Sequence, residues 1–125
     1  QRAIHACPDT LFIGHAPGFW REISGDADDT STPYPTTPVT PGGRLYELFD
    51  SNPTLHADIS AGSGMRALSR DPEHARQFIA RYADRLLFGR DQYGGELDAF
   101  LKTLDLPADT LTRILGGNIR RLLNL

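Results

Sequence analysis

Three short apolar runs divide the chain, at residues 10–15 (TLFIGH), 55–60 (LHADIS) and 85–91 (RLLFGRD). Each is of ordinary strand length and ends in polar or glycine-rich sequence, so each predicts a buried strand. Between and after them the apolar spacing changes to a helical one. Residues 44–50 place Leu45, Leu48 and Phe49 on one side. After Asp71 the pattern is clearest. Asp71 suits an N-cap, Pro72 suits the first helical position, and Ala75, Phe78, Ile79 and Tyr82 share one face. Residues 96–104 repeat it with Leu97, Phe100, Leu101 and Leu104. Pro107 opens another helix with Leu111, Ile114 and Leu115 turned inward. Gly116-Gly117 interrupts it, and residues 118–123 form a last helix packed through Ile119, Leu122 and Leu123. A further helix precedes the first strand and carries His5.

The order strand, helix, strand, helix, strand, helices predicts an α/β fold with parallel strands and right-handed crossovers, part of a barrel or of a doubly wound sheet. One segment breaks the rhythm. Residues 16–41 are poor in aliphatic side chains and hold Asp26, Asp28 and Asp29, then Pro33, Pro35, Pro38 and Pro41 among threonines. A loop this long is either a cover over a site or unstructured. Its position after a strand ending in His15 favours the cover, because α/β sites lie at the C-terminal ends of strands.

The 125 residues amount to one domain at most, with ordinary apolar (39%) and charged (23%) fractions. A net charge of −3 supplies no basic face for a phosphate backbone, so nucleic acid is not an expected partner. The single cysteine, Cys7, rules out an intrachain disulfide and fits a reducing compartment. No apolar run nears the roughly 18 residues of a membrane helix, and no signal peptide is visible. A cytoplasmic protein without a membrane partner is the expectation, although the chain begins at Gln1 and a leader could precede it.

Alternation along the strands locates the chemistry. In the second strand Leu55, Ala57 and Ile59 share the face that helices should cover, leaving His56, Asp58 and Ser60 on the other. His15 and Asp91 end the first and third strands, where a barrel brings side chains together. A histidine and a carboxylate there can bind a divalent metal or carry out acid–base chemistry. They can equally be a rim residue and the cap of the next helix. Ala61-Gly62-Ser63-Gly64 lacks the third glycine of a dinucleotide motif and any P-loop lysine, so it reads as a turn.

Four stretches carry a family resemblance. DTLFIGHAPGFW resembles barrel strand six of the amidohydrolase-related family, where a pattern like hhhGHxGG ends the strand. LHADISAG resembles strand seven, DRLLFGRDQYGG resembles strand eight, and ILGGNIRRLLNL resembles the closing asparagine-containing helix. They occur in family order and span nearly the whole chain. The resemblance implies a partial (β/α)₈ TIM barrel: three parallel strands, six to eight, with flanking helices and one long loop, residues 1–125 forming the C-terminal part of the domain. Asp91 matches the aspartate that binds metal and acts as general base. His15 matches the histidine that binds metal or polarises the substrate carbonyl. Asp58 matches an aspartate more often structural than catalytic, and Asn118 an asparagine that braces the last helix. Arg90 stands where the family has Ser or Thr, which leaves it a salt-bridge or anion-contact residue. The family's His-x-His pair and its strand-five histidine have no counterpart, and would lie upstream of Gln1. His5, His56 and His74 read as structural.

The resemblance thus implies a metal-dependent hydrolase acting on C–N or C–O bonds of a small-molecule substrate, with a divalent ion, zinc by its donors, as cofactor. Asp91 would take the proton of the attacking water and return it to the leaving group. The same frame supports decarboxylation in the superfamily, which stands as an alternative. A non-catalytic βα binding module is a second. The piece by itself is expected to be inactive, and its open strand edges invite self-association into a homo-oligomer.

Overall fold

A computed structural model describes residues 2–29, 31–91 and 94–125. Gln92 and Tyr93 of the strand-eight motif lie outside the described residues, as do Gln1 and Thr30. The chain runs α1 (Arg2–Ala6), β1 (Phe12–Gly14), α2 (Pro17–Trp20), α3 (Arg44–Ser51), β2 (Leu55–Asp58), α4 (Ala61–Ser69), α5 (Pro72–Tyr82), β3 (Leu86–Leu87), α6 (Glu96–Thr103), α7 (Ala108–Thr112) and α8 (Asn118–Leu123). The strands form one open parallel sheet in the order β1-β2-β3, with Gly14 opposite Ala57 and Asp58 opposite Leu87. The α/β class and the three expected strands are present, each shorter than its apolar run. No helix among the described residues is long and apolar enough to cross a membrane.

β2 is buried on both faces, with His56 and Ser60 on its polar side buried and Asp58 half-buried. Leu55, Ala57 and Ile59 are fully buried against the helical layer, where Phe49, Leu68, Phe78, Ile79 and Leu86 join them in one core. Four aromatic rings, from Tyr46, Phe49, Phe78 and Tyr82, pack edge-on or tilted between α3 and α5 at centroid distances of 4.7–5.9 Å. The α5 cap is as expected: Asp71 Oδ1 accepts the His74 backbone N–H at 3.1 Å, and Pro72 opens the helix.

Several expectations need correction. β1 is not buried on both faces. Leu11 and Ile13 are 44% and 47% exposed, because β1 is an edge strand and their face meets no covering layer among the described residues. Residues 61–64 are not a turn but the start of α4. Glycine serves close packing there: a Cβ on Gly64 would stand 2.6 Å from the Ile59 Cα, so its absence lets the helix seat against the end of β2.

Leu115 is 44% exposed rather than inward. After α7 the helix widens over residues 113–117 and kinks at Gly116, which breaks the 3.6-residue phase and leaves Ile114 as the buried member. In α8 the buried position is Asn118, so Leu122 is half-buried and Leu123, about 100° further round, is 59% exposed.

The segment 16–41 is not structureless. It begins with α2 and a 3₁₀ turn (Arg21–Ile23), and buries Trp20, Ile23 and Ala27. Its proline-rich half is strapped down. Arg70 donates to the Thr37 and Pro38 carbonyls, Asp71 Oδ2 accepts the Val39 N–H at 3.2 Å, and the Arg66 guanidinium lies 4.9 Å from the Tyr34 ring centroid.

Candidate functional site

The C-terminal ends of the three strands converge on one group of side chains. His15 follows β1 and Asp58 closes β2, while Asp91, expected at a strand end, lies in the loop beyond β3, which stops at Leu87. The imidazole of His15 stands between two carboxylates, one per ring nitrogen. Nδ1 is 3.0 Å from Asp58 Oδ2, and Nε2 is 3.9 Å from Asp91 Oδ2. Parallel pairing sets His15 beside Asp58, since Gly14 lies opposite Ala57, and the chain beyond β3 brings Asp91 back to the same rim.

Asp58 is the most firmly held of the three. Its Oδ1 accepts the Ser60 backbone N–H at 2.8 Å and its Oδ2 accepts the Ser60 hydroxyl at 2.7 Å. A carboxylate folded onto the backbone two residues on is the local turn that aspartate favours. The carbonyl of Asp58 accepts the indole N–H of Trp20 at 2.9 Å, so α2 braces the same residue from another side. Gly89 makes room for this: a Cβ there would stand 3.3 Å from both Asp58 Oδ1 and Ser60 Cβ.

Backbone strain flanks the cluster. Ala16, next to His15, has φ 73° and ψ 162°, and Asp91 has φ 55°. Non-glycine residues rarely adopt such φ, and the cost is of order 1–3 kcal/mol where the conformation is unfavourable. Such strain persists where the surrounding structure dictates it, and functional sites are where it concentrates.

The sequence-derived pair, His15 and Asp91, is therefore brought together, and Asp58 joins them as the closer partner of the histidine. The family resemblance marks Asp58 as more often structural than catalytic, and its 3.0 Å approach to His15 is the part that the sequence does not reveal. The partial signal is alternation, which places Asp58 and Ser60 on the inner face.

The donors suit a divalent ion in kind. A metal-binding histidine commonly gives its second N–H to a carboxylate, which is the place Asp58 occupies. In a tetrahedral zinc site, ligand atoms bonded at ~2.0–2.1 Å stand roughly 3.4 Å apart. The observed 3.9 Å is wider, and the exposed Asp91 side chain can swing to close it. The set falls short in number: among the described residues no group of three His, Cys, Asp or Glu side chains is placed to hold a metal ion.

The other residues singled out by sequence lie elsewhere. Arg90 donates to the Gly94 carbonyl at 2.7 Å and so braces its own loop. Asn118, fully buried, donates to the carbonyls of Ala83 (2.6 Å) and Leu86 (2.8 Å), pinning α8 to the start of β3. His5 is exposed on α1. His56 is 6% exposed, and burial lowers its pKa. His74 Nε2 lies 2.7 Å from the Tyr46 hydroxyl, and burial lowers its pKa too. A cavity of about 330 Å³ lies beside the cluster rather than on it, lined by Met65, Phe88, Arg90, Glu96, Leu97 and Leu115.

Compared with family models, with curated proteins and with solved structures, the chain gives no match to any of the three.

Proposed function

We propose that this chain supplies the strand-six-to-eight portion of a TIM-barrel, metal-dependent hydrolase of the amidohydrolase-related type, with His15 and Asp91 as ligands of a divalent ion and Asp91 as general base. One observation carries the reading: the ends of three parallel strands set the His15 imidazole between two carboxylates. The order of the four sequence motifs supports it independently. When bound, zinc or a similar ion would supply Lewis-acid polarisation of a carbonyl and acidification of water.

The chain's own groups divide the remaining work. Asp91 is exposed at the rim, so its carboxylate can reach a water and take a proton. His15 presents Nε2 to the same space. Asp58 Oδ2 stands 3.0 Å from its other nitrogen. The remaining ligands and the substrate pocket belong, on this reading, to further βα units packed on the exposed face of Leu11 and Ile13.

Zinc titrated into the chain in a calorimeter tests the proposal. Weak binding of one ion per chain is expected, lost in both His15→Ala and Asp91→Asn. Absence of saturable binding, or binding indifferent to both substitutions, defeats the metal reading.

A further inference from the structure

We infer that the cleft between α4 and the proline-rich segment binds the phosphate group of a small phosphate monoester, with Arg66 and Arg70 as its cationic walls. The cleft has a volume of about 270 Å³. It is lined by Tyr34, Pro35 and Thr36 on one side and by Arg66, Ser69 and Arg70 on the other. These six residues bring two positive charges and two aliphatic hydroxyls, and none of them is acidic. Like charges four residues apart repel along a helix, so the Arg66–Arg70 pair does not serve α4 itself. Among the described residues, no carboxylate stands at ion-pair distance from either guanidinium, in contrast to Arg44, Arg81 and Arg113. Asp26 and Asp71 act on Arg70 from beyond that distance.

Both guanidinium groups are positioned by neutral partners. Arg70 donates through Nε and Nη2 to the Thr37 carbonyl, the Thr37 hydroxyl and the Pro38 carbonyl. Its Nη1 makes no hydrogen bond among the described residues. Arg66 lies 4.9 Å from the Tyr34 ring centroid, a contact that supplies no oxygen acceptor. Charge then selects the ligand. A phosphate monoester carries about −1.5 to −2 at neutral pH and offers three acceptor oxygens, which matches two cations better than a singly charged carboxylate does. The guanidinium fork suits phosphate oxygens in geometry as well. Tyr34 and Pro35 give the same cleft an apolar wall for the esterified group. The cleft shares no residue with the strand-end cluster, and its ligand does not depend on the metal reading.

The test is ¹H–¹⁵N NMR of the chain, on backbone and arginine Nε–H signals. The chain is titrated with inorganic phosphate, phenyl phosphate and acetate at fixed ionic strength, so that screening is constant. Both phosphates should give saturable shifts at Thr36, Arg66, Ser69 and Arg70, with phenyl phosphate the tighter, and acetate should not saturate over the same range. Arg66 is exposed, so Arg66→Gln should fold, and it should weaken phenyl phosphate on the order of tenfold. Arg66→Lys keeps the charge without the fork and should fall between. Arg120→Gln, the same charge loss at an exposed position of α8, should leave the affinity unchanged. Absence of saturable shifts at these residues with both phosphates overturns the inference, and this arm needs no variant. Equal weakening by Arg120→Gln and Arg66→Gln reduces the effect to net charge and overturns it too. Acetate binding as tightly as phenyl phosphate defeats the assignment of a dianion.

Discussion

The indole N–H of Trp20 donates to the carbonyl of Asp58 at 2.9 Å, across 38 positions of sequence. Trp20 belongs to the first helical turn after His15, and the Asp58 carboxylate lies 3.0 Å from the His15 ring. The bond therefore ties the segment after β1 to the end of β2 at the candidate site. The ring also meets Phe19 and Phe78 edge-on at centroid distances of 5.5 and 6.1 Å, so one side chain serves both core and rim.

Replacing Trp20 by Phe keeps a ring and deletes the donor. The Asp58 carbonyl then loses its partner, at an expected cost of about 1–3 kcal/mol. Trp20→Ala adds a cavity and should cost about 3–5 kcal/mol. Denaturant unfolding of both variants checks this. If Trp20→Phe matched the parent, the bond would contribute nothing to stability.

Stability should fall as pH drops below about 6.5, the ordinary histidine value. His74 and His56 both have pKa values lowered by burial, so the folded chain binds protons less readily than the unfolded one. Between the lowered and the ordinary value the unfolded state holds more protons, and stability rises with pH across that window. A second loss belongs to lower pH. Asp71 is held below its usual 3.8 chiefly by the His74 backbone N–H, and that stabilisation goes as pH falls through the lowered value. Unfolding midpoints measured across the acid range should drop in both windows. His74→Gln should flatten the upper one, and an unchanged slope in that variant would exclude His74 as a source.

Asn118→Ala should be the most damaging polar-to-apolar change in the last helix. It strips the partner from two carbonyls, Ala83 and Leu86, in a fully buried position. The expected loss is about 2–4 kcal/mol. Asn118→Asp should do no better, because a carboxylate has no N–H to donate. Thermal unfolding distinguishes this from a neutral surface change, which would leave the midpoint where it was.

Ala16→Gly should stabilise the chain. Ala16 holds φ 73° and ψ 162°, a region that glycine enters without a Cβ penalty. Relief of that strain, offset by the added freedom of glycine in the unfolded chain, should leave a net gain of up to about 1 kcal/mol. A destabilised glycine variant would mean that the Ala16 conformation carries little strain.

Much of this molecule follows from local pattern. Period-two alternation places Leu55, Ala57 and Ile59 against the helices and His56, Asp58 and Ser60 on the other face, because successive side chains of a strand point to opposite sides. Asp71-Pro72 marks a helix start because capping and a missing N–H are satisfied within a few residues. His15 and Asp91 stand out as the polar residues that close apolar runs, which can be read along the chain, although the strands themselves stop at Gly14 and Leu87. What sequence could not decide is whatever depends on packing between distant segments. Residues 61–64 become helix because the absent side chain of Gly64 lets it approach Ile59. Leu115 turns outward because the widened turn at residues 113–117 resets the helical phase. The prominence of Asp58 also comes from the third dimension. Only the parallel register of β1 on β2, with Trp20 folded back over the strand end, brings its carboxylate within 3.0 Å of His15.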